Sequence, residues 1–217
     1  MIGEWRTPGG HPATFAYRDH TNDWNTLSST MNDEYRVPTL SGVAVDVGGY
    51  LGSVGIGLAL DNPDLRVWII EPVPPNQELI EQNIATNGVG DRVTLIRGAV
   101  GKGSVDVNFG YRGNEAVEHH QFVGNSTLAT DEEHETVTYR GITVAALLKQ
   151  TGPIDFLKID TEGAEWAFLG TPALSAVRTI VGEWHPVGGH TGADLAALMP
   201  AHEVTLEGEH GFRAVLR

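Results

Sequence analysis

The sequence predicts a doubly wound α/β fold, in which helices cover both faces of a mainly parallel sheet. Two observations indicate it. From Gly42 onward, short apolar segments alternate with segments of helical periodicity. The first of these apolar segments ends in the glycine-rich turn VDVGGYLG. In such folds the turn after the first strand lies where ligands bind, beyond the carboxyl ends of the strands.

The predicted elements follow from residue periodicity. Apolar segments bounded by turn residues predict strands, and apolar residues three or four apart predict helices. Strands are expected at 43–47, 66–70, 93–97, 154–159, 179–183, 203–206 and 212–216, and helices at 52–60, 77–87, 143–149, 163–169 and 194–199. The last two strands are joined through Gly208 and Gly211, as expected for two paired strands.

Two regions of the expected single domain, residues 1–217, fall outside this pattern. Residues 1–40 are irregular and rich in Pro, Thr, Asn and Asp. We expect them to form a cap or lid that is not part of the sheet. Residues 101–139 are polar and glycine-rich, with two candidate strands, VDVNF and ETVTYR. We expect an insertion that carries a hairpin and a mobile loop.

The composition excludes several classes of function. The net charge of -14 argues against a nucleic-acid partner, because such proteins need basic patches. The absence of cysteine excludes thiolate metal sites and cysteine nucleophiles. The apolar stretch 41–60 carries Asp46 and many glycines, so it predicts a strand, turn and helix rather than a membrane span. No secretory signal is apparent at the N-terminus. We expect a cytoplasmic protein without a membrane partner.

The glycine turn points to a cofactor without phosphate. Gly48, Gly49 and Gly52 allow close backbone approach, but they match neither the dinucleotide fingerprint nor a P-loop. Asp46 would repel a pyrophosphate and would suit an ammonium group, as in S-adenosylmethionine. Glu71 ends the second strand, where an acid can accept two ribose hydroxyls. The alternatives are a helix-capping role for Asp46 and a surface position for Glu71.

The chain resembles the FkbM family of S-adenosylmethionine-dependent methyltransferases. The resemblance is carried by VDVGGYLG, IIEPVPPNQELIEQNIATNG, RGAVG, FLKIDTEGAEWAFL and TIVGEWHP, which occur in the family's order across about residues 15–186. The D-T-E-G-A-E stretch is the most specific of these motifs. The resemblance implies a Rossmann-like class I fold whose seven-stranded sheet has a C-terminal antiparallel pair. It also implies methyl transfer, typically to a hydroxyl of a natural product or a sugar.

Cofactor contacts are expected along the matching motifs. They are Asp46, Gly48, Gly49, Tyr50, Gly52, Glu71, Pro72, Ala99, Val100 and Asp160. Tyr50 departs from the family, which often carries a small polar residue there.

Four residues are the candidates for catalysis. Asp160 follows a strand that we expect near the switch point, where it would orient the substrate or coordinate a cation. His185 is expected to act as general base or substrate ligand. Glu162 and Glu165 either join them or only complement the dipole at the start of a helix. Lys158 is expected to do no more than neutralise these acids.

Further residues are candidates for binding the substrate or a metal ion. The candidates for substrate binding are Asp23, Tyr35, Asn125, Ser126, Glu183 and Trp184. Asp160, Glu162, Glu165 and His185 could hold a hard cation such as Mg²⁺. His119, His120 and His134 match no structural zinc spacing and are expected to lie in a solvated loop.

Several alternatives stay open on the sequence alone. The acceptor could be a small-molecule amine, which would make the reaction an N-methylation. A nucleotide-dependent oxidoreductase or a non-catalytic binding protein could share the fold. The sequence is compatible with a homodimer and does not predict the oligomeric state.

Overall fold

The computed structural model describes residues 1–19, 21–109 and 135–217. The strands are β1 (Ile2–Arg6), β2 (Pro12–Ala16), β3 (Val43–Val47), β4 (Arg66–Glu71), β5 (Val93–Arg97), β6 (Ser104–Phe109), β7 (Glu135–Arg140), β8 (Ile154–Ile159), β9 (Val177–Glu183), β10 (His202–Glu207) and β11 (Gly211–Leu216). The α-helices are α1 (Asp23–Met31), α2 (Ser53–Asp61), α3 (Pro74–Thr86), α4 (Val144–Thr151), α5 (Glu165–Leu169) and α6 (Gly192–Leu198). Short 3₁₀ turns lie at Pro172–Ala176 and Val187–Gly189.

A seven-stranded sheet forms the centre of the molecule, with the order β10-β11-β9-β8-β3-β4-β5. Strand β11 runs antiparallel to both β9 and β10. The remaining neighbours in the sheet are parallel. The predicted sheet and its C-terminal antiparallel pair are therefore confirmed. The chain proceeds outward from β3 through β4 to β5, and from β8 to β9 on the other side. This reversal creates a crevice at the carboxyl ends of β3 and β8.

The central strands are buried on both faces. All five residues of β3 are buried, as expected for a parallel strand covered by helices on each side. Its odd-numbered residues, with Leu157 and Ile159 of β8, pack in one apolar cluster. Its Ala44 packs with Phe156 of β8 in a second cluster, which α2 and the N-terminal segment cover. Asp46 and Lys158 occupy positions on this second face.

The N-terminal segment is more regular than predicted. Strands β1 and β2 form an antiparallel hairpin, and α1 follows it. The hairpin turns through residues 7–11, where Gly10 has a φ of 88°. Ala13 and Phe15 are buried, and Asn83 of α3 accepts the backbone N–H of Ala16 at 2.7 Å. The composition hid this hairpin because its Pro and Gly residues form a turn. The segment does lie outside the seven-stranded sheet, as predicted.

The expected hairpin in the insertion is present. Strands β6 and β7 pair antiparallel, which confirms the two candidate strands. Val107 and Phe109 pack with Val73 and Ala99 in a small apolar cluster. The predictions for Asn125, Ser126, His119, His120 and His134 lie outside the described residues.

Across residues 1–19, 21–109 and 135–217, no helix has both the length and the apolar character needed to cross a bilayer.

Candidate functional site

The glycine turn links three strands at the crevice. The N–H groups of Gly48 and Gly49 both donate to the carbonyl of Ile70, at 3.0 and 3.1 Å. Gly48 has a φ of 77°, and a Cβ added there would lie 1.8 Å from the backbone oxygen of Asp160. Only glycine fits this close approach. The turn is thus fixed against β4 on one side and against the end of β8 on the other.

Asp46 lies beneath this turn and does not face open space. Its side chain is 1% exposed. One oxygen accepts the backbone N–H of Gly55 at 3.1 Å, and the other lies 3.3 Å from Nζ of Lys158. The expectation of a direct ammonium contact does not match this arrangement, because both oxygens face groups of the protein itself. Gly55 belongs to the first turn of α2, so Asp46 also receives a helix N–H, consistent with the alternative role at a helix terminus.

Glu71 is held at the end of β4 and is 3% exposed. One oxygen accepts the N–H of Val73 at 2.9 Å and the side-chain amide of Asn76 at 3.1 Å. The other accepts the N–H of Tyr50 at 2.9 Å. Burial raises the pKa of Glu71 to about 7. The surface-acid alternative is therefore wrong. Donors from the described residues occupy three of its roughly four acceptor positions, which leaves capacity for one further donor.

Tyr50 and Asp23 connect the turn to the N-terminal segment. Tyr50 has a φ of 54°, and its hydroxyl donates to Asp23 at 2.5 Å. Asp23 also accepts from the guanidinium and backbone of Arg18 at 2.8 to 3.0 Å. Burial would raise the pKa of Asp23, but the bonds from Arg18 and Tyr50 outweigh it and lower the pKa. Asp23 is 0% exposed, so in this conformation it anchors the segment and presents no surface to a substrate.

The remaining predicted cofactor residues lie along the neighbouring strand ends. Gly52 precedes α2 with a φ of 82°. Pro72 directly follows β4, and its carbonyl accepts the hydroxyl of Tyr139 of β7 at 2.7 Å. Ala99 and Val100 follow β5 and are buried, and Val100 pairs with Ile142 in a parallel bridge. The inserted hairpin therefore contacts the same edge of the sheet as the glycine turn.

A mixed cluster of carboxylates and histidine lies across the crevice, where β8 and β9 end. Asp160, Glu183 and His185 each offer an atom that could bind a metal, and these atoms lie within 4.8 Å of one another. The ring of His185 places Nε2 4.0 Å from Asp160 and 3.4 Å from Glu162. The sequence-predicted pair of Asp160 and His185 is thus brought together. Of these side chains, Asp160 is 32% and Glu162 48% exposed.

Glu165 lies behind His185 and is completely buried. One of its oxygens accepts the backbone N–H of His185 at 2.7 Å and lies 3.2 Å from Nδ1 of the ring. The other accepts the hydroxyl of Thr161 and the N–H of Gly163, at 3.0 and 2.9 Å. Glu165 therefore joins the cluster through His185, and it is not only a dipole partner in the first turn of α5.

The pKa values follow from this crowding. Burial would lower the pKa of His185, but its hydrogen bond to Glu165 and the charges of Glu162 and Asp160 raise it to about 9. Burial would raise the pKa of Glu165, but the bonds from His185 outweigh it and lower the pKa. Burial also raises the pKa of Glu162 and of Glu183, and the charge of Asp160 adds to both shifts. Negative charge is therefore in excess around one imidazole.

Two predicted substrate residues lie at the margins of the cluster. The ring of Tyr35 lies 5.9 Å from Nζ of Lys158, and its carbonyl accepts Nη2 of Arg213 at 2.5 Å. The ring of Trp184 packs edge-on against Trp166 at 6.2 Å. The indole nitrogen of Trp184 is buried, and no hydrogen-bond partner for it is found among the described residues.

Four residues of the site were not predicted. They are Arg18, Glu34, Asn76 and Lys158, the last of which was expected only to neutralise acids. Lys158 had a signal, because it is a lone charged residue inside an apolar strand. The other three become recognisable only from the folded arrangement.

The residues that the structure offers to a metal ion differ from those predicted from the sequence. Glu165 directs its oxygens at His185, Thr161 and Gly163, so it does not point into the crevice. Glu183 takes its place in the converging set.

Comparisons with known proteins agree with this fold. Residues 46–214 match the family model described as "Methyltransferase FkbM domain". A stretch of 54 residues is 43% identical to ribosomal RNA small subunit methyltransferase G of Frankia casuarinae, and it covers 25% of this chain and 20% of that protein. The structure of precorrin-6y C5,15-methyltransferase from Geobacter metallireducens superposes with a TM-score of 0.50 at 13% identity, covering 93% of each chain. At this identity, the last match supports the fold alone.

Proposed function

Because the chain belongs to the FkbM methyltransferase family, we propose that it transfers the methyl group of S-adenosylmethionine to a hydroxyl of a small molecule, such as a natural product or a sugar. The observation that carries this proposal is the position of the His185–Glu165 pair. It lies across the switch-point crevice from the glycine turn, with Nε2 of His185 on the side of Asp160.

The cofactor is proposed to lie along the carboxyl ends of β3, β4 and β8. Glu71 would accept a ribose hydroxyl with its remaining acceptor position, beside Tyr50 and Pro72. The adenine would lie toward Ala99 and Val100, at the end of β5. The cofactor's ammonium group is proposed to donate to the half-buried carboxylate of Asp160, because both oxygens of Asp46 face groups of the protein itself.

Methyl transfer to a hydroxyl needs an in-line arrangement and a proton acceptor. The oxygen of the substrate hydroxyl would form a bond to the methyl carbon while the carbon–sulfur bond breaks, and the electron pair of the broken bond would remain on sulfur and neutralise the sulfonium. The hydroxyl proton passes to Nε2 of His185. Glu165 orients the ring and stabilises the imidazolium that forms. The positive charge of a bound sulfonium would lower the pKa of His185 from about 9 toward the range where the neutral ring accepts a proton.

A divalent cation offers a second way to ionise the substrate hydroxyl, in place of proton transfer to an unaided His185. Asp160, Glu183 and His185 offer ligand atoms close enough for modest side-chain movement to bring them onto one ion. Carboxylates and imidazole together suit a cation such as Mn²⁺ or Mg²⁺, which would acidify a bound hydroxyl. Activity in excess EDTA separates the routes. Full activity supports His185 as the base, and loss that is restored by added metal supports the cation.

The acceptor is proposed to be a small molecule and not a nucleic acid. The net charge of -14 opposes binding to phosphates, and acids surround the crevice. The ribosomal RNA methyltransferase is similar over 25% of this chain only. An amine acceptor remains the second candidate, because the same acids would attract an ammonium group.

Transfer of radiolabelled methyl groups tests the proposal. The protein is incubated with labelled S-adenosylmethionine and three acceptor panels: polyhydroxylated small molecules, small amines and RNA. We expect label in a hydroxyl product, with release of S-adenosylhomocysteine. Label only in amines would replace O- by N-methylation, and label in RNA would overturn the acceptor class. NADH is expected not to bind in a fluorescence titration, whereas saturable binding would favour an oxidoreductase.

A further inference from the structure

Lys158 is a buried cation within the strand that leads into the site. It belongs to β8, where its side chain is 6% exposed. Its register partner on the neighbouring strand β3 is Asp46. Lysine is rarely buried unless it is paired, so this position needs a reason.

The ammonium group of Lys158 makes three contacts. It donates to the carbonyl of Gly48 at 2.7 Å and lies 3.3 Å from Asp46. It also lies 5.9 Å from the centre of the Tyr35 ring. One cation therefore joins the glycine turn, the strand before it and the N-terminal segment.

Carboxylates balance the charge of Lys158, and Asp46 and Asp160 act on it most strongly. Its positive charge in turn favours ionisation of Glu34, Glu71 and Glu183.

A purely structural role does not require this pair. An apolar pair of similar volume often stabilises a core as well as a buried ion pair does. The bond to the Gly48 carbonyl is different, since an interior backbone carbonyl needs a hydrogen-bond donor and Lys158 supplies one from the neighbouring strand.

We propose that Lys158 is a positioning residue that, with Asp46, holds the glycine turn in its cofactor-binding shape. Asp46 then acts through Lys158 and Gly55 and does not contact the cofactor's ammonium group. This inference rests on the proposed binding of S-adenosylmethionine.

The test compares binding of S-adenosylhomocysteine by calorimetry in matched variants. Asp46→Asn retains the hydrogen bond from Lys158 to the Gly48 carbonyl. Asp46→Asn/Lys158→Met removes that bond without leaving an unpaired buried carboxylate. Lys149→Met, an exposed lysine of α4, is the control. Melting temperature and KM for S-adenosylmethionine are measured for each protein. If the Met variant does not fold, Lys158→Gln in the same background takes its place.

We expect the double variant to bind about tenfold or more weakly than Asp46→Asn, since a displaced turn misplaces the ligand. KM should rise more than kcat falls, and the melting temperatures of these two variants should be similar. Equal affinity of the two variants would overturn the inference. So would a folded Asp46→Asn protein that has lost all binding, because the amine of Lys158, still bonded to Gly48, would then not suffice to hold the turn. If the unsubstituted protein does not bind, the proposed function itself fails.

Discussion

One carboxylate oxygen of Glu165 holds His185 at two points, accepting its backbone N–H at 2.7 Å and lying 3.2 Å from Nδ1. The backbone contact fixes where the residue lies, and the ring contact favours the proton on Nδ1. Nε2 is therefore the nitrogen that meets the crevice, 4.0 Å from Asp160. A carboxylate behind a histidine orients the ring and stabilises its charged form.

Replacing Glu165 by Gln should shift the pH dependence of catalysis. If neutral His185 is the base, kcat/KM rises with pH around the pKa of His185 in the ligand-free protein, which is about 9. Without the negative charge, the pKa of His185 falls and the midpoint moves to lower pH. The maximal rate should drop roughly 10²-fold because the ring is less well held. Rates from pH 6 to 10 in EDTA check this, with Glu203→Gln on the exposed edge strand as control. An unchanged midpoint would contradict the coupling.

Stability should fall as the solution becomes alkaline. The pKa of His185 is raised from 6.5 to about 9 in the folded protein, so protonation favours folding. That contribution is fully present below pH 6.5 and is lost as the pH rises through 9. It amounts to about 3 kcal/mol at most. Urea unfolding at pH 6.5 and 9.5 measures it, and His185→Gln should show a smaller difference between the two pH values. Equal differences in both proteins would exclude His185 as the source.

Substituting Gly48 by Ala should cost far more than the same change at Gly208. Both residues have positive φ, 77° and 62°, so both substitutions carry the left-handed penalty of about 1–2 kcal/mol. A Cβ at Gly208 meets nothing within 4 Å, whereas at Gly48 it lies 1.8 Å from the Asp160 carbonyl. Gly48→Ala should therefore lose binding of S-adenosylhomocysteine, while Gly208→Ala retains it. Similar binding by the two variants would show that the close approach is unimportant.

Asp160→Asn should reduce kcat/KM about 10²-fold or more, because it removes the carboxylate that we propose faces both the substrate hydroxyl and the cofactor. Asp155→Asn is a matched control at the opposite end of β8, since both aspartate side chains are 32% exposed. The control should leave kcat/KM within about threefold of the unsubstituted value, because the side-chain oxygen of Asn can still accept the N–H of Val43, as Asp155 does, away from the crevice. A comparable loss in both variants would mean that the loss comes from disturbing β8 and not from removing the charge of Asp160.

The fold and part of the site could be predicted from the sequence, because both depend on residue patterns within short stretches of the chain. Alternating strands and helices predicted the sheet, and strand ends predicted where Asp160 and His185 meet. The pairing of Asp46 with Lys158 depends on the register of β3 against β8, across 110 residues of chain from Gly48 to Lys158, which no local pattern records. The position of Glu165 depends likewise on the short helix α5 turning its first residue toward the end of β9.

Calorimetric titration with S-adenosylhomocysteine measures cofactor binding without the need for a methyl acceptor. We expect saturable binding to one site per chain, with a Kd on the order of micromolar and a melting temperature that rises with ligand. Absence of heat and of any thermal shift at about 1 mM ligand would contradict it.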